Sequence, residues 1–493
     1  MLGFRCNFVG GEWEGVVTYI MKFGNIMKLG NILAAVAVVL AVAPVTAETK
    51  GGGGIDSAML GRLKDSYRPS GAQRALRNAA STNSIDNLVQ NVESKNNFDT
   101  SFSHKVESKG ITDQKRSGRC WLFTGLNVLR SQMIADKDLP ELTLSQNYNF
   151  FFDQLEKANL FLQGMIDTAD LPADDKTVDW LFANPLSDGG QFTGLSDNLM
   201  KYGVVPSSVM VETFSAENTS RLNSLLSLKL REYGLKLRKM KADGATAKEM
   251  AAEKEEMLKT VYRMLAMTLG EPPVEFTWTR RDKKGEIVST KTYTPQSFYK
   301  EMAGNDLRND YVMLMNDPSR EYYKVYEIDY DRHVYDGKNW TYVNLPVEDI
   351  KEMAIESIKD STMMYFSCDV GKFLDRDRGY LDVDSYAYGD FFDTDFPMDK
   401  ADRIRTHASA SSHAMTLMAV DLDKDGKPVK WMVENSWGPG ANDGHLIMTD
   451  KWFDEYMFRL VVNKKYVPKR VLDLLKQKPV KLPAWDPLFA PEL

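Results

Sequence analysis

Apolar residues along this chain follow two different spacings, which separate a helical first part from a strand-rich second part. Between Ser145 and Ile166 they recur at the spacing typical of an amphipathic helix, and Ser145 is placed to cap its start. From residue 310 onward, short apolar runs of strand character take over. The runs that we predict as strands are YVMLMN, KNWTYVNL, MMYFSCDV, AMTLMAVDLD, KWMVENSW and HLIMTDKWF. Because helices precede strands without regular alternation, the pattern predicts an α+β fold with separate helical and sheet layers.

Two long amphipathic segments lie between these parts, at Arg221–Lys241 and Ala247–Leu269, on either side of a turn at Asp243-Gly244. They predict a helical hairpin, which we interpret as an insertion. A β-hairpin signal follows around Lys283-Lys284-Gly285, and Thr294-Pro295 predicts the start of another helix.

The changes in pattern divide the chain into six segments. They are an export signal (1–47), a linker and N-terminal arm (48–105), a helical lobe with the candidate cysteine (106–220), the helical hairpin and β-hairpin insertion (221–309), a β lobe (310–480) and a C-terminal tail (481–493).

The export signal is predicted from its own pattern. Two lysines precede an apolar run, Ile32–Ala47, that is too short for a comfortable membrane span, and small residues stand before Glu48 where a signal peptidase requires them. We expect cleavage after Ala47, a true start at Met21 or Met27, and no stable membrane insertion afterwards; the alternative is an uncleaved anchor. The expected location is the bacterial periplasm, with surface or secreted fates left open.

Charge and cysteine content narrow the function classes. With 62 Lys and Arg against 69 Asp and Glu, the net charge is −7, which argues against nucleic acid as the main partner. Cleavage would remove Cys6 and leave only Cys120 and Cys368, so the fold cannot depend on a disulfide framework. The sequence has no Cys and His residues at the spacing of a metal site. The Asp421–Lys427 stretch resembles a calcium-binding loop, but it lacks the final Glu of such a loop, so we interpret it as a hairpin turn. No metal or cofactor is expected, only a reduced thiol.

One short stretch carries candidate chemistry. DQKRSGRCWLF, Asp113–Phe123, places Cys120 after a turn and at the start of a helical pattern. Unsatisfied N–H groups and the helix dipole stabilise a thiolate in the first turn of a helix. Nucleophilic thiol catalysis also needs a base and a group that orients this base.

The second part of the chain offers both groups. His413 stands where small residues give way to an apolar strand, and Asn435 follows the next strand, with Trp437 available to screen a bond between them. Cys120, His413 and Asn435 therefore match a nucleophile, a base and an orienting residue. Gln114, six residues before Cys120, could join the Cys120 backbone N–H in binding an oxyanion.

Each residue alone has an ordinary structural interpretation. Cys120 could be a buried core thiol or half of a disulfide with Cys368, and His413 could be a core histidine. The joint occurrence of the four residues favours catalysis. We expect His407 and His445 to be ordinary structural histidines.

The motifs DQKRSGRCWLF, SHAMTLMAVD and VENSWG together resemble the papain-type cysteine peptidases, specifically the branch of bleomycin hydrolase and aminopeptidase C. LSQNYNFFFDQLEKAN, DGGQF, KYGVVP and the tail KLPAWDPL extend the resemblance to roughly residues 55–493. The separation of Cys120 from His413 exceeds the roughly 130–150 residues of the simple papain pattern. The predicted insertion would account for the excess.

This resemblance implies a papain-like, two-lobed core, with a helical lobe, a β-barrel-like lobe, a helical insertion and a C-terminal arm. It carries catalytic roles over to Gln114, Cys120, His413 and Asn435. It also implies that Gly189 and Gly190 bind the substrate backbone, that Trp437 contacts substrate, and that the carboxylate of Leu493 receives the free amino group of a peptide.

The resemblance further implies thiol aminopeptidase activity on peptides and a homohexameric ring. The chain departs from the family in four respects. Family members are typically cytosolic, Asp113 replaces an Asn before Gln114, His445 replaces an aromatic residue, and the end of the tail differs. The alternatives that remain are an endopeptidase or dipeptidyl-type peptidase with an open cleft, and a non-catalytic peptide-binding ring. Redox thiol exchange is disfavoured because no Cys-x-x-Cys occurs.

Overall fold

The computed structural model describes residues 53–96 and 99–489, and the chain divides into two compact units at Gly71. Helix α1, Ser57–Ser66, belongs to the first unit and begins where the Asp56 carboxylate accepts a hydrogen bond from the Met59 N–H at 2.7 Å. The predicted export signal and Leu493 lie outside the described residues. Across residues 53–96 and 99–489, no helix is long and apolar enough to cross a membrane.

Helices dominate the chain as far as residue 302 and recur between later strands. They are α2 (Gly71–Ala80), α3 (Ile85–Leu88), α4 (Val92–Asn96), α5 (Cys120–Asp136), α6 (Gln146–Asp167), α7 (Lys176–Ala183), α8 (Phe192–Tyr202), α9 (Phe214–Glu217), α10 (Ser220–Ala242), α11 (Ala247–Leu269), α12 (Pro295–Met302), α13 (Val347–Lys359), α14 (Tyr388–Phe392), α15 (Lys400–Arg405), α16 (Asp450–Tyr456) and α17 (Lys469–Leu472).

Most strands lie in the second half. They are β1 (His104–Lys105), β2 (Phe276–Arg281), β3 (Ile287–Tyr293), β4 (Tyr311–Met315), β5 (Lys324–Ile328), β6 (Thr341–Asn344), β7 (Met364–Cys368), β8 (Leu374–Asp375), β9 (Tyr380–Leu381), β10 (His413–Leu422), β11 (Pro428–Glu434), β12 (His445–Thr449), β13 (Met457–Asn463) and β14 (Val480–Leu482).

One mixed sheet organises the second unit. Its strands follow the order β14-β5-β6-β4-β13-β7-β10-β11-β12-β9-β8, and β1 also pairs with β10. All three partners of β10 are antiparallel; β7 places Cys368 opposite His413, and β11 places Glu434 opposite Thr416. Every residue of β10 from His413 to Val420 is buried, so both faces of this strand are covered.

Residues of β10 belong to two apolar clusters. Ala414 belongs to the cluster that includes residues of α5, α6 and the insertion helices, whereas Met415 and the later apolar residues of the strand belong to a second cluster with residues of α13 and α16. The start of β10 therefore lies where the helical part of the core meets the sheet part. The separate helical and sheet layers predicted from the apolar spacing are therefore present.

The helix that begins at Cys120 is buried on almost all sides. It packs against β10 and α8, and the contact with α8 is close: a methyl group added at Gly125 would lie 2.2 Å from Cδ2 of Leu195. Gly125 therefore sets how near the two helices approach, and with them the position of the cysteine.

The predicted helical hairpin is confirmed as α10 and α11, which pack against α6. A reciprocal pair of hydrogen bonds between Thr246 and Glu249 starts α11, in the capping-box arrangement. The predicted β-hairpin is also confirmed as β2 and β3, and α12 begins after a second capping residue, Thr294. The Asp421–Lys427 stretch is the predicted turn, because the Asp423 carboxylate accepts hydrogen bonds from two N–H groups within it.

One predicted strand is wrong in its second part. HLIMTDKWF is a strand only as far as Thr449, and α16 begins at Asp450. Thr449 caps this helix by accepting a hydrogen bond from the Trp452 N–H at 3.2 Å. The capping residue and the burial of Trp452 and Phe453 on the helix outweigh their preference for strands.

Replacing Gly125 with alanine tests the close packing of α5 on α8. We expect a lower thermal unfolding midpoint, because the new methyl group must displace Leu195, at a cost of about 1–3 kcal/mol. Gly61→Ala in α1 is a matched control: nothing lies within 4 Å of the added methyl group. Helix propensity should then leave the midpoint unchanged or raise it. An equal fall in both variants would contradict this account of the packing.

Candidate active site

Cys120 opens α5 and lies against the sheet. Its side chain is fully buried, and its Sγ accepts a hydrogen bond from the Ala414 N–H at 3.4 Å. As the first residue of the helix, it lies among the unsatisfied N–H groups of the first turn. The Ala414 N–H and the N–H groups of the first turn are donors of the kind that stabilise a thiolate. Ala414 directly follows His413, so the same contact holds the cysteine beside the histidine-bearing end of β10.

The histidine is oriented by the predicted asparagine. His413 Nε2 lies 2.8 Å from Oδ1 of Asn435, and both residues are buried. The Ser436 N–H also donates to this Oδ1, at 2.8 Å, which identifies the atom as an acceptor. Nε2 therefore carries the hydrogen in this bond, and Nδ1 keeps the lone pair that a general base needs.

Trp437 covers this hydrogen bond. Its ring centroid lies 4.9 Å from that of His413, and the two planes are tilted by 31°. The indole is 37% exposed, so it forms part of the surface while it screens the buried pair. A hydrogen bond in such a low-dielectric setting is stronger than one in water.

Gln114 is tied to the chain that follows Asn435. Its N–H donates to the Ser436 carbonyl at 2.8 Å, and its Oε1 accepts from the Ser436 hydroxyl at 2.7 Å. Its side-chain amide donates one hydrogen to the Ser117 carbonyl at 2.6 Å. The carboxamide orientation is thus fixed from both ends, as an oxyanion donor requires.

This pairing extends to the neighbouring residues. Asp113 forms a β-bridge with Trp437, and the Gly438 N–H donates to the Thr112 carbonyl at 3.0 Å. Gly438 has φ +74°, and a side chain there would lie 2.7 Å from the Asp113 carboxylate, so glycine is needed on both counts. The chain before the cysteine and the chain after the asparagine are therefore joined directly.

Asp188 fixes the predicted glycine pair beside the cysteine loop, although the sequence analysis missed it. Its carboxylate accepts from the Gly118 N–H at 2.7 Å and from the Thr219 hydroxyl. Its carbonyl accepts from the Trp121 indole N–H at 2.9 Å. Gly118 and Trp121 flank Cys120 closely, so Asp188 holds Gly189 and Gly190 near the nucleophile.

A buried ionic cluster supports the glycine pair from beneath. The Lys157 ammonium donates to the Gly189 carbonyl at 2.6 Å and pairs with Asp153 at 2.8 Å. The other carboxylate oxygen of Asp153 lies 2.5 Å from His333 Nδ1. His333 also fills the space under Gly190, where an added Cβ would lie 2.3 Å from its Cε1. The cluster therefore positions both the Gly189 carbonyl and the course of the chain through the glycine pair.

Opposing effects set the charges in this cluster. Burial works to raise the pKa of Asp153, but the charges of Lys157 and His333 and their hydrogen bonds hold that pKa below its ordinary value. Burial and the Lys157 charge lower the pKa of His333, despite the attraction of Asp153. Asp153 and Lys157 are four residues apart, on a helix with few other charges on its buried face. An isolated pair of opposite charges at this spacing is a sequence signal that could have identified both residues.

The remaining predicted residues have different outcomes. No disulfide bond joins Cys120 and Cys368, so the alternative pairing is wrong. Cys368 instead lies opposite His413 on the neighbouring strand. Leu493 lies outside the described residues. Within the described ranges, no cluster of potential metal ligands is found.

Comparisons with known proteins agree with this geometry. Residues 54–489 match the peptidase C1-like family. Aminopeptidase C from Lactobacillus delbrueckii subsp. lactis is 40% identical over 419 residues, which cover 84% of this chain and 93% of the relative. Human bleomycin hydrolase is 40% identical over 401 residues, covering 79% and 88% respectively.

The crystal structure of pepW from Lactobacillus rhamnosis HN001 superposes with a TM-score of 0.85 at 39% identity, covering 89% of this chain and 99% of that one. The family match and this superposition confirm the predicted papain-like α+β fold. The resemblance inferred from the cysteine, histidine and asparagine motifs is also confirmed: the chain belongs to the peptidase C1-like family, in the branch of aminopeptidase C and bleomycin hydrolase.

Proposed function

We propose that this protein is a cysteine aminopeptidase that removes N-terminal residues from peptides through a thioester acyl-enzyme. The observation that carries the proposal is the hydrogen bond between His413 and Asn435, with Cys120 held beside them by the Ala414 N–H. The names aminopeptidase C, aminopeptidase G and bleomycin hydrolase among the relatives support the same function.

Acylation begins with the transfer of the Cys120 proton to His413 Nδ1. The thiolate attacks the carbonyl carbon of the first peptide bond, and the C=O electrons move to the oxygen. The Cys120 N–H and the Gln114 side-chain amide stabilise this oxyanion. When the intermediate collapses, the C–N bond breaks, the leaving amine takes the proton from His413, and a thioester remains on Cys120.

Deacylation uses the same groups in reverse. A water molecule gives one proton to His413 as its oxygen attacks the thioester carbon. The carbon–sulfur bond then breaks, the free amino acid leaves, and Cys120 recovers its proton from His413. Asn435 keeps the imidazole in one orientation through both halves of the cycle, and Trp437 excludes water from their hydrogen bond.

The C-terminal tail provides the proposed exopeptidase specificity. Arg459 donates a hydrogen bond to the Leu488 carbonyl at 2.7 Å, and Phe489 lines the same cavity, of about 150 Å³, as Gly189 and Gly190. Phe489, four residues before Leu493, therefore lies at the same cavity as the glycine pair, which supports this role for the tail. A carboxylate at Leu493 would then receive the free amino group of a peptide and block longer substrates. Without a carboxylate that blocks the cleft in this way, the site would be that of an endopeptidase or a dipeptidyl-type peptidase.

Export and assembly are further parts of the proposal. We propose a periplasmic protein cleaved after Ala47 and assembled as a homohexameric ring, with peptides as its partners, no nucleic acid and no metal. N-terminal sequencing of the mature protein and its mass in solution test these two points. A non-catalytic, peptide-binding ring is the alternative of another class, and a Cys120→Ala protein that kept its cellular role would favour it.

Alkylation tests the nucleophile. Iodoacetamide should modify Cys120 and abolish hydrolysis of a free N-terminal peptide, because the thiolate is the attacking group. Cys368→Ala is the matched control: it should keep its activity and its sensitivity to the reagent. Mass spectrometry of tryptic peptides locates the modification. Full activity after stoichiometric modification of Cys120 would reject the mechanism.

Replacing Gln114 with alanine tests the oxyanion site. Losing one preorganised donor should lower kcat by about 10²–10³-fold, with little change in KM. Because Gln114 also binds Ser436, a Ser436→Ala variant controls for the loss of that contact and should lose far less activity. Steady-state kinetics with one peptide measure both constants. A fall in kcat of the same size in both variants would contradict the role assigned to Gln114.

Deleting residues 490–493 tests whether the tail blocks the cleft. The truncated protein should cleave N-blocked peptides that the full chain leaves intact, because the proposed carboxylate no longer closes the cleft. Leu493→Ala keeps a terminal carboxylate at the same position and should remain an exopeptidase. Mass spectrometry of the products from blocked and unblocked peptides distinguishes the cases. If truncation leaves the products unchanged, the role of the tail is wrong.

A further inference from the structure

A fully buried arginine directly precedes the proposed nucleophile. Arg119 is the last residue before α5, and its side chain has no exposed surface. The proposed mechanism gives this side chain no task. Taking a guanidinium out of water is costly unless its charge is paired and its donors are used. The contacts of Arg119 therefore indicate what it does.

Two kinds of contact hold the end of this side chain. The Nη2 atom of Arg119 lies 2.8 Å from Oε2 of Glu212, whose side chain is partly exposed. The rings of Phe123 and Phe150 have their centroids 5.2 Å and 5.3 Å from the Arg119 Cζ. A cation is attracted to the faces of aromatic rings at such distances. The guanidinium is thus fixed at its far end, and this also fixes the place of its Nε group.

The Nε group acts on the turn before the cysteine. Its N–H donates to the Ser117 hydroxyl at 3.0 Å, and this hydroxyl donates onward to the Gln114 carbonyl at 2.6 Å. The Gln114 side-chain amide in turn donates to the Ser117 carbonyl at 2.6 Å. Ser117 therefore binds both the backbone and the side chain of Gln114, and Arg119 binds Ser117.

The turn needs this support because one of its residues has an unfavourable backbone conformation. Lys115 has φ +55°, in the left-handed region that residues other than glycine rarely adopt. Such a conformation persists only where the surrounding contacts fix it. The Asp113 carboxylate accepts a hydrogen bond from the Lys115 N–H at 2.8 Å on one side of the turn. Ser117 and Arg119 supply the contacts on the other side.

We propose that Arg119 is a positioning residue for the oxyanion donor: through the Ser117 hydroxyl, its guanidinium fixes the turn that carries Gln114 and hence the direction of the Gln114 amide. This role rests on the proposed function, because Gln114 binds an oxyanion only in that mechanism. It also explains why the residue is an arginine. A guanidinium can donate from Nε while its terminal nitrogen binds Glu212, whereas a lysine has a single ammonium group.

Replacing Ser117 with alanine breaks the contact between Arg119 and Gln114 by removing one oxygen atom. We expect kcat for a peptide with a free N-terminus to fall about 3–10-fold, the usual value of one hydrogen bond. KM should change little, because the oxyanion forms only on the way through the transition state. Ser131→Ala, about three turns further along α5, is the matched control and should leave kcat unchanged.

Combining Ser117→Ala with Gln114→Ala shows whether the effect passes through Gln114. If it does, Ser117→Ala causes no further loss of kcat in a protein that already lacks the Gln114 amide. A merely structural role predicts the same fold-loss in both backgrounds, and that result would overturn the inference.

Arg119→Lys keeps a positive charge opposite Glu212 but lacks the Nε donor. We expect kcat to fall as much as in Ser117→Ala, and the two changes together should cost no more than either alone. Arg403→Lys is the matched control, because Arg403 also pairs with a glutamate, Glu455, beside an aromatic ring. This control should keep its kcat. Full activity of Arg119→Lys would show that the charge alone is sufficient and would overturn the inference.

The reactivity of Cys120 separates a misdirected amide from a weakened nucleophile. A dipyridyl disulfide reacts with a thiolate without forming an oxyanion, so its rate depends on the thiolate alone. Mass spectrometry of tryptic peptides measures this rate at Cys120. The rate and its pH dependence should match the wild type in Ser117→Ala and in Arg119→Lys, which also shows that both variants are folded. A fall in this rate that parallels the fall in kcat would place the effect on the thiol and contradict the proposal.

The outcomes for the inference and for the proposed function are distinct. If the full-length protein hydrolyses no peptide, both fail, because no oxyanion forms. Hydrolysis with an unchanged kcat in Ser117→Ala removes the inference alone.

Discussion

The active site depends on one short backbone pairing, between the chain before Cys120 and the chain after Asn435. The bridge of Asp113 with Trp437 and the two hydrogen bonds of Gln114 with Ser436 join these segments. The pairing brings the cysteine loop to the histidine because Asn435 is itself bound to His413. The proposed nucleophile, base and oxyanion donor are therefore located by these main-chain and side-chain contacts, which tolerate little displacement. A site held in this way is preorganised and does not need to be assembled by the substrate.

The glycine pair, Gly189 and Gly190, has a different kind of support. Asp188 accepts three hydrogen bonds from groups around the cysteine helix, and Lys157 holds the Gly189 carbonyl from below. Taking the charges of Lys157 and Asp153 out of water is costly unless their remaining hydrogen-bonding capacity is used. Here His333 and two backbone carbonyls use it. The result is a glycine pair that has no side chains of its own and whose course is fixed by buried neighbours.

The sequence alone was enough to predict the parts of this site that have local signals. The turn before Cys120, the strand start at His413 and the Asn-Ser-Trp-Gly run identify elements whose positions follow from spacing, and the family resemblance supplied their roles. The helical hairpin was predictable for the same reason, since each of its two helices has a long run of apolar residues at helical spacing. Asp188 and His333 were not predictable, because they act through partners remote in sequence. His333 is 180 positions from Asp153, and no local pattern indicates that contact. The misassigned end of the predicted strand after His445 shows the same limit: a threonine cap and burial by the sheet turned a β-prone run into α16.

The bond between Gln114 and Ser436 joins residues 322 positions apart, and the contact of Cys120 with Ala414 spans 294. Closing such long loops is slow and is favourable only once the intervening sheet has formed. A nascent chain that emerges from the ribosome therefore carries its thiol without a base until almost all of it has been synthesised. The order of the residues thus delays the onset of proteolysis until folding is nearly complete.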